Sequence, residues 1–149
     1  MQLLAPCPGR VFSITEVSDP VFAGEIVGPG VAIDPAPGPT TVVAPCAGKI
    51  LKLHPHAFAM LTPEGLGILV HLGINTVRLK GAGFELIAKE KSTVAAGDPI
   101  VSWNPAEIGG DDITTTVMIV VMDRPAGSVT SEAIGHDIEA GQPLFSVDV

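Results

Sequence analysis

Along the chain, apolar residues either alternate with polar ones or gather in short blocks, and a Gly or Pro closes each stretch after several residues. Period-two alternation and short bounded blocks are strand signals, while few stretches repeat at helical spacing. The pattern predicts an all-β chain, an antiparallel β-sandwich or barrel with one or two short helical turns. The block from His54 to Val77 carries the most information. Two apolar runs meet at Thr62-Pro63-Glu64-Gly65, where Pro in the second place and Gly in the fourth favour a type I turn and hence a hairpin. If the turn is centred between Pro63 and Glu64, His56 falls opposite His71, Phe58 opposite Leu69 and His54 opposite Gly73. Opposed residues share a face, with Cβ atoms about 4.5–5.5 Å apart. Two imidazoles then lie together with Phe58 and Leu69 as an apolar wall, and Ala57, Ala59, Ile68, Val70 and Leu72 face the core. An extra residue taken up at Gly65 or Gly67 would break this register.

Two pairs of phrases repeat. Ala5-Pro6-Cys7-Pro8-Gly9-Arg10 is echoed by Ala44-Pro45-Cys46-Ala47-Gly48-Lys49, each leading into an apolar strand. Gly97-Asp98-Pro99-Ile100 is echoed by Gly141-Gln142-Pro143-Leu144. The interleaving predicts an internally duplicated fold built from hairpins. Between the first pair, Asp19-Pro20 ahead of Val21 and Phe22 reads as a short helical turn or tight loop. Val21, Phe22, Ile26 and Val27 are read either as core or as an exposed patch for a partner. Val77 to Ala88 shows strand-like alternation broken at Gly81 and Gly83, Pro105 to Asp112 is a loop with one helical turn, and Thr114 to Met122 is a buried strand. His136 sits in a turn as a bystander.

With 149 residues the chain makes one unit, residues 1–149, rather than two. A net charge of −8, one Trp, five Phe and no Tyr leave neither a basic stripe nor stacking platforms, which excludes nucleic acid and favours basic protein partners. The start lacks a charged, apolar leader and no run reaches membrane-spanning length, so a soluble cytoplasmic protein without membrane insertion is expected. Cys7 and Cys46 are explained by the repeat, as reduced small hydrophobes without metal or redox spacing.

The chemistry narrows around the histidines. No phosphate-binding Gly-x-x-x-x-Gly-Lys phrase and no Gly-x-Ser-x-Gly occurs. Zinc-dependent hydrolysis is the rival reading, because His54-Pro55-His56 with His71 makes a three-histidine set, although no Asp or Glu follows at the spacing a catalytic base requires. Phosphoryl transfer through histidine needs less: a neutral imidazole, ordinarily of pKa about 6.5, attacks, and a neighbouring ring donates N–H to the phosphoryl oxygens.

Val21-Phe22-Ala23, Ile26-Val27-Gly28-x-Gly30-Val31-Ala32-Ile33-x-Pro35, Val43-Ala44-Pro45-x-x-Gly48, His56-Ala57-Phe58 and Val70-His71-x-Gly73-Ile74-x-Thr76-Val77-x-Leu79-x-Gly81-x-Gly83-Phe84 occur in order along nearly the whole chain. Together they resemble the glucose-type enzyme IIA component of the bacterial phosphoenolpyruvate-dependent sugar phosphotransferase system. The resemblance implies a β-sandwich of the duplicated-hybrid-motif type that takes a phosphoryl group from the histidine phosphocarrier protein HPr and passes it to a IIB domain of a membrane sugar permease. By the same resemblance His71 is phosphorylated through Nε2, His56 is its partner, and Val21, Phe22, Ile26, Val27, Phe58 and Leu69 form the apolar docking surface. It further implies transfer without metal, nucleotide or other cofactor, and regulatory protein targets that vary. Two positions depart from the family pattern: His54 stands where a threonine is usual, and Asn75 where aspartate is common. His54, Gly73 and Asn75 are therefore candidate orienting residues.

Overall fold

Strands form where the sequence alternates or runs apolar, and glycine and proline corners separate them. The computed structural model describes residues 1–148. Its strands are β1 (Gln2–Leu4), β2 (Gly9–Ser13), β3 (Gly30–Pro35), β4 (Thr40–Val43), β5 (Gly48–His54), β6 (Ala57–Leu61), β7 (Gly67–Ile74), β8 (Phe84–Leu86), β9 (Thr93–Val94), β10 (Pro99–Trp103), β11 (Thr114–Val121), β12 (Asp137–Ile138) and β13 (Pro143–Ser146). One short helix, α1 (Pro20–Ala23), and three 3₁₀ turns complete it. Eight strands make one antiparallel sheet in the order β12-β2-β3-β11-β7-β6-β5-β9, while β4-β10-β8 and β1-β13 make two smaller ones.

The repeated phrases occupy equivalent places. β1 pairs with β13 as β4 pairs with β10, and β2 pairs with β12 as β5 pairs with β9. Read outward from the β11–β7 seam, the large sheet runs β3, β2, β12 on one side and β6, β5, β9 on the other. The two halves are tied together where the Pro-Cys phrases pass each other: the Leu4 N–H donates to the Pro45 carbonyl at 2.8 Å and the Val43 N–H to the Pro6 carbonyl at 2.9 Å. Both cysteines are buried and free. Burial pushes the Cys7 thiol up to about 12 and, with help from Glu64, the Cys46 thiol up to about 11, so both stay protonated and act as small apolar groups.

Two apolar clusters sandwich the large sheet. The larger packs its inner face against the small sheets, bringing Ile33, Ile50, Phe58, Ile68, Val70, Leu72 and Ile119 together with Leu3, Val42, Val101 and Phe145. The smaller covers part of the outer face with Ile14, Val17 and Phe22 over Ala32, Met118 and Val120. The middle strands are therefore buried on both sides, which is why the end of β11 reads as an unbroken apolar run.

Two expectations are corrected. The β6–β7 hairpin closes through three residues, Pro63, Glu64 and Gly65, with Gly65 at φ +91° and the Thr62 N–H bonded to the Leu66 carbonyl at 2.9 Å. This is the hairpin that takes up one extra left-handed residue, and it shifts every pair by one. His71 accordingly lies opposite Ala57, Phe58 opposite Val70 and Ala59 opposite Leu69. The second correction concerns Thr76–Leu79, which forms a 3₁₀ turn rather than a strand because Asn75 (φ 63°) and Lys80 (φ 53°), at its two ends, are both left-handed.

Candidate functional site

The register places one row of side chains on the outer face of the sheet. Phe12 pairs with Ala32, Ala32 with Met118, Met118 with His71, His71 with Ala57 and Ala57 with His54. Opposed residues share a face, so His71 and His54 stand on the same surface with only the methyl group of Ala57 between them. His56 is not on a strand. It occupies the second corner of the Pro55-His56 turn that joins β5 to β6, free of strand alternation, and its carbonyl accepts the Leu72 N–H at 2.7 Å. Its ring meets the His71 ring edge-on, centroids 5.3 Å apart at 71°, and lies nearly parallel to the His54 ring at 5.7 Å and 25°. The expected neighbourhood of His56 and His71 is present, although the pairing expected to produce it is not.

His71 is half-buried and held from two sides. The Phe22 ring, carried by α1, lies 5.2 Å from it. On the other side Nδ1 is 2.6 Å from the Gly73 carbonyl oxygen. A carbonyl only accepts, so Nδ1 carries the proton and Nε2 keeps its lone pair. Gly73 can turn its carbonyl back because its φ is +86°, and there is no room for a side chain: a Cβ would collide with Thr76 Cγ2 and the Thr114 carbonyl. Thr76 is itself fixed, fully buried with its hydroxyl donating to the Leu72 carbonyl at 2.7 Å.

Electrostatics favour neutral rings. Burial lowers the pKa of His71, opposed by its bond to Gly73 and by the negative charge of Asp19. His56 is also lowered, first by burial and then by repulsion from His71 and His54. Both therefore sit below the ordinary imidazole value of 6.5 and are uncharged at neutral pH. The result is a nucleophilic nitrogen with a fixed tautomer beside a second neutral ring.

The remaining candidates divide. Ile26 and Val21 are exposed, at 75% and 45%, Val21 next to Phe22 in α1 and Ile26 in the segment after it. Val27 and Leu69 are half-buried against the outer cluster, and Phe22 is buried under His71. Phe58 is a correction: at 1% exposure it belongs to the inner core, because the shifted register turns it away from the histidines. Asn75 donates through Nδ2 to the Asp112 carbonyl at 2.8 Å, securing the loop before β11. His136 lies exposed in its turn. Asp19 was not singled out for the site by its sequence, although Asp before Pro is a helix-start signal; its carboxylate caps α1 by accepting the Val21 N–H at 2.8 Å. The zinc reading gains no support. Among the described residues no group of three or more His, Cys, Asp or Glu converges as a metal-ligand set.

Residues 1–126 match the family described as phosphoenolpyruvate-dependent sugar phosphotransferase system, EIIA 1. The chain belongs to this enzyme IIA family. Among curated relatives, the glucose-specific EIIA component of Bacillus cereus is 38% identical over 135 residues, covering 89% of this chain and 81% of that protein. The glucose-specific EIIA component of Borreliella burgdorferi is 46% identical, covering 98% and 88%. The N-acetylglucosamine-specific EIICBA component of Escherichia coli is 34% identical over 98% of this chain but only 23% of its own length. Among solved structures, glucose permease IIA from Mycoplasma capricolum superposes with a TM-score of 0.85 at 31% identity, covering 97% of this chain and 94% of the other. As an enzyme IIA protein the chain is a phosphoryl relay component of a sugar phosphotransferase system, a phosphotransferase domain that passes phosphate by way of histidine. Nothing in these relationships favours a hydrolase.

Proposed function

We propose that residues 1–149 form one relay unit in which His71 receives a phosphoryl group on Nε2 and His56 stabilises it in transit. The bond from His71 Nδ1 to the Gly73 carbonyl carries this reading, because it leaves Nε2 as the free nucleophile. The donor is phosphorylated HPr and the acceptor a IIB domain of a membrane sugar permease, in the cytoplasm. The EIICBA relative of Escherichia coli, in which a IIA part shares one chain with B and C parts, supports the choice of acceptor.

In the first transfer the donor's N–P bond breaks as the P–N bond to His71 Nε2 forms, and the electron pair of the broken bond returns to the donor ring. His71 keeps its Nδ1 proton, still donated to Gly73. The phosphorylated ring therefore carries one positive charge beside the negative phosphoryl oxygens, which keeps it a good leaving group for the second transfer. His56 donates an N–H to those oxygens, and their charge favours any further proton on that ring. No step needs a metal or a nucleotide. Val21 and Ile26 form the apolar rim on which a partner seats and excludes water.

The test is intact-mass measurement after incubation with phosphoenolpyruvate and the upstream proteins through HPr. One acid-labile phosphate is expected, lost in His71→Ala. His56→Ala is expected to accept the label yet pass it on more slowly, by about 10²-fold or more, as for a removed transition-state donor. Undiminished labelling of His71→Ala would refute the assignment.

A further inference from the structure

His71 is fixed by a hydrogen bond to the backbone, but the partner ring is not held in the same way. His56 projects from a turn and is positioned by ring contacts, with His71 at its edge and His54 across its face. His54 can take that place because it is the last residue of β5, paired with Ala57, and Ala57 is too small to fill the space between His54 and His71. The strand end beneath it is braced: the Leu53 N–H donates to Glu90 Oε1 at 3.0 Å and Lys91 Nζ to the Leu51 carbonyl at 3.0 Å.

We propose that His54 is a positioning residue for the relay, its exposed imidazole stacking on His56 and holding that ring edge-on to His71, where its N–H meets the phosphoryl group. This rests on the relay reading above and concerns a residue where the family pattern has a different side chain. The stack also acts on charge. Two adjacent imidazoles resist holding two protons, so His54 adds, after burial and His71, to what keeps His56 neutral until a phosphoryl group arrives. Of the titratable groups, His71 from β7 and His54 from β5 act on His56, Asp19 from the cap of α1 acts on His71, and Glu90 accepts the Leu53 N–H next to His54. An unrestrained His56 ring would sample orientations that do not face His71, and the donor hydrogen bond would be made less often.

The test compares His54→Ala and His54→Phe with the unaltered protein. Side-chain ¹⁵N NMR follows the His56 ring through a pH titration, and rapid-quench kinetics follow phosphoryl transfer from labelled His71 to a IIB domain across pH. In His54→Ala the His56 midpoint is expected to rise toward 6.5, because a repelling ring has gone. Onward transfer is expected to slow by about 2- to 10-fold, the range for a lost ring contact. His54→Phe keeps a ring on His56 without a proton to share, so it should restore much of the rate while leaving the midpoint raised. A His54→Ala protein with unchanged midpoint and rate would overturn the proposal, as would a His54→Phe protein no faster than His54→Ala. Failure of the unaltered protein to accept phosphate at His71 would instead sink the relay reading, and the NMR comparison would stand apart from that result.

Discussion

At the scale of single residues, the decisive atom is the Gly73 carbonyl oxygen. It fixes which nitrogen of His71 carries the proton, and it can do so only because residue 73 adopts a backbone conformation that side chains rarely take. Gly73→Ala is expected to destabilise the fold by about 1–3 kcal/mol through backbone strain, and more if Thr76 and the Thr114 carbonyl cannot yield. It should also loosen the tautomer of His71. Urea denaturation measures the first effect and ring ¹⁵N shifts the second; a stable protein with an unchanged His71 tautomer would show that the carbonyl is not the restraint. The histidines themselves were legible from their sequence, because two imidazoles on an otherwise apolar strand pair call for an explanation. Gly73 was legible as a position of interest, but its carbonyl contact was not, since it depends on a φ that the residue type permits without requiring.

At the scale of elements, α1 is a helix too short to stand alone and survives by capping and packing. Asp19 caps it, Pro20 opens it, and Phe22 anchors it on His71. Asp19→Ala is expected to cost about 1 kcal/mol in stability for the lost cap. It should also lower the titration midpoint of His71, since Asp19 is one of the two influences that raise it. An NMR titration showing the midpoint unmoved would separate capping from electrostatics. The element boundaries near the site show where the residue pattern falls short. Alternation and turn residues located β6, β7 and the turn between them, but a two-residue or a three-residue closure was consistent with Thr62-Pro63-Glu64-Gly65. That single residue decides whether Phe58 faces the site or the core, and it faces the core. His56 escapes the consequence because it lies in a turn, outside the alternation that reverses Phe58.

At the scale of the molecule, duplication supplies a scaffold whose two halves share a central seam, while the candidate histidines lie in one of them. His71 is on β7, and β11, its counterpart across the seam, carries no histidine. The neutral rings link the site to global stability. Because the folded His56 and His71 lie below the ordinary 6.5, an unfolded chain binds more protons as pH falls past that value. Their contribution to stability is complete above about 6.5 and is lost as pH falls from there to the folded values. Urea unfolding at stepped pH should show this slope, flattened in a His56→Ala, His71→Ala double variant; an equal slope in both would refute the linkage. The proposed relay gives the outer face a role that stability does not measure. Ile26, 75% exposed, makes few packing contacts to lose, so Ile26→Lys should change stability by no more than about 0.5 kcal/mol. Transfer to and from partners should nevertheless slow, and equal rates would show that this rim is not where they seat.

The all-β class, the interleaved duplication, the apolar blocks that become strands and the choice of His56 and His71 as candidates could be read from residue order alone, because each depends on local period, turn residues or repetition. The register of the hairpin, the inward turn of Phe58, the reach of Asp19 toward His71 and the carbonyl that fixes its tautomer emerge in the folded molecule alone. These depend on backbone angles at a few corners and on contacts between segments distant in the chain, where residue type narrows the choice and packing makes it.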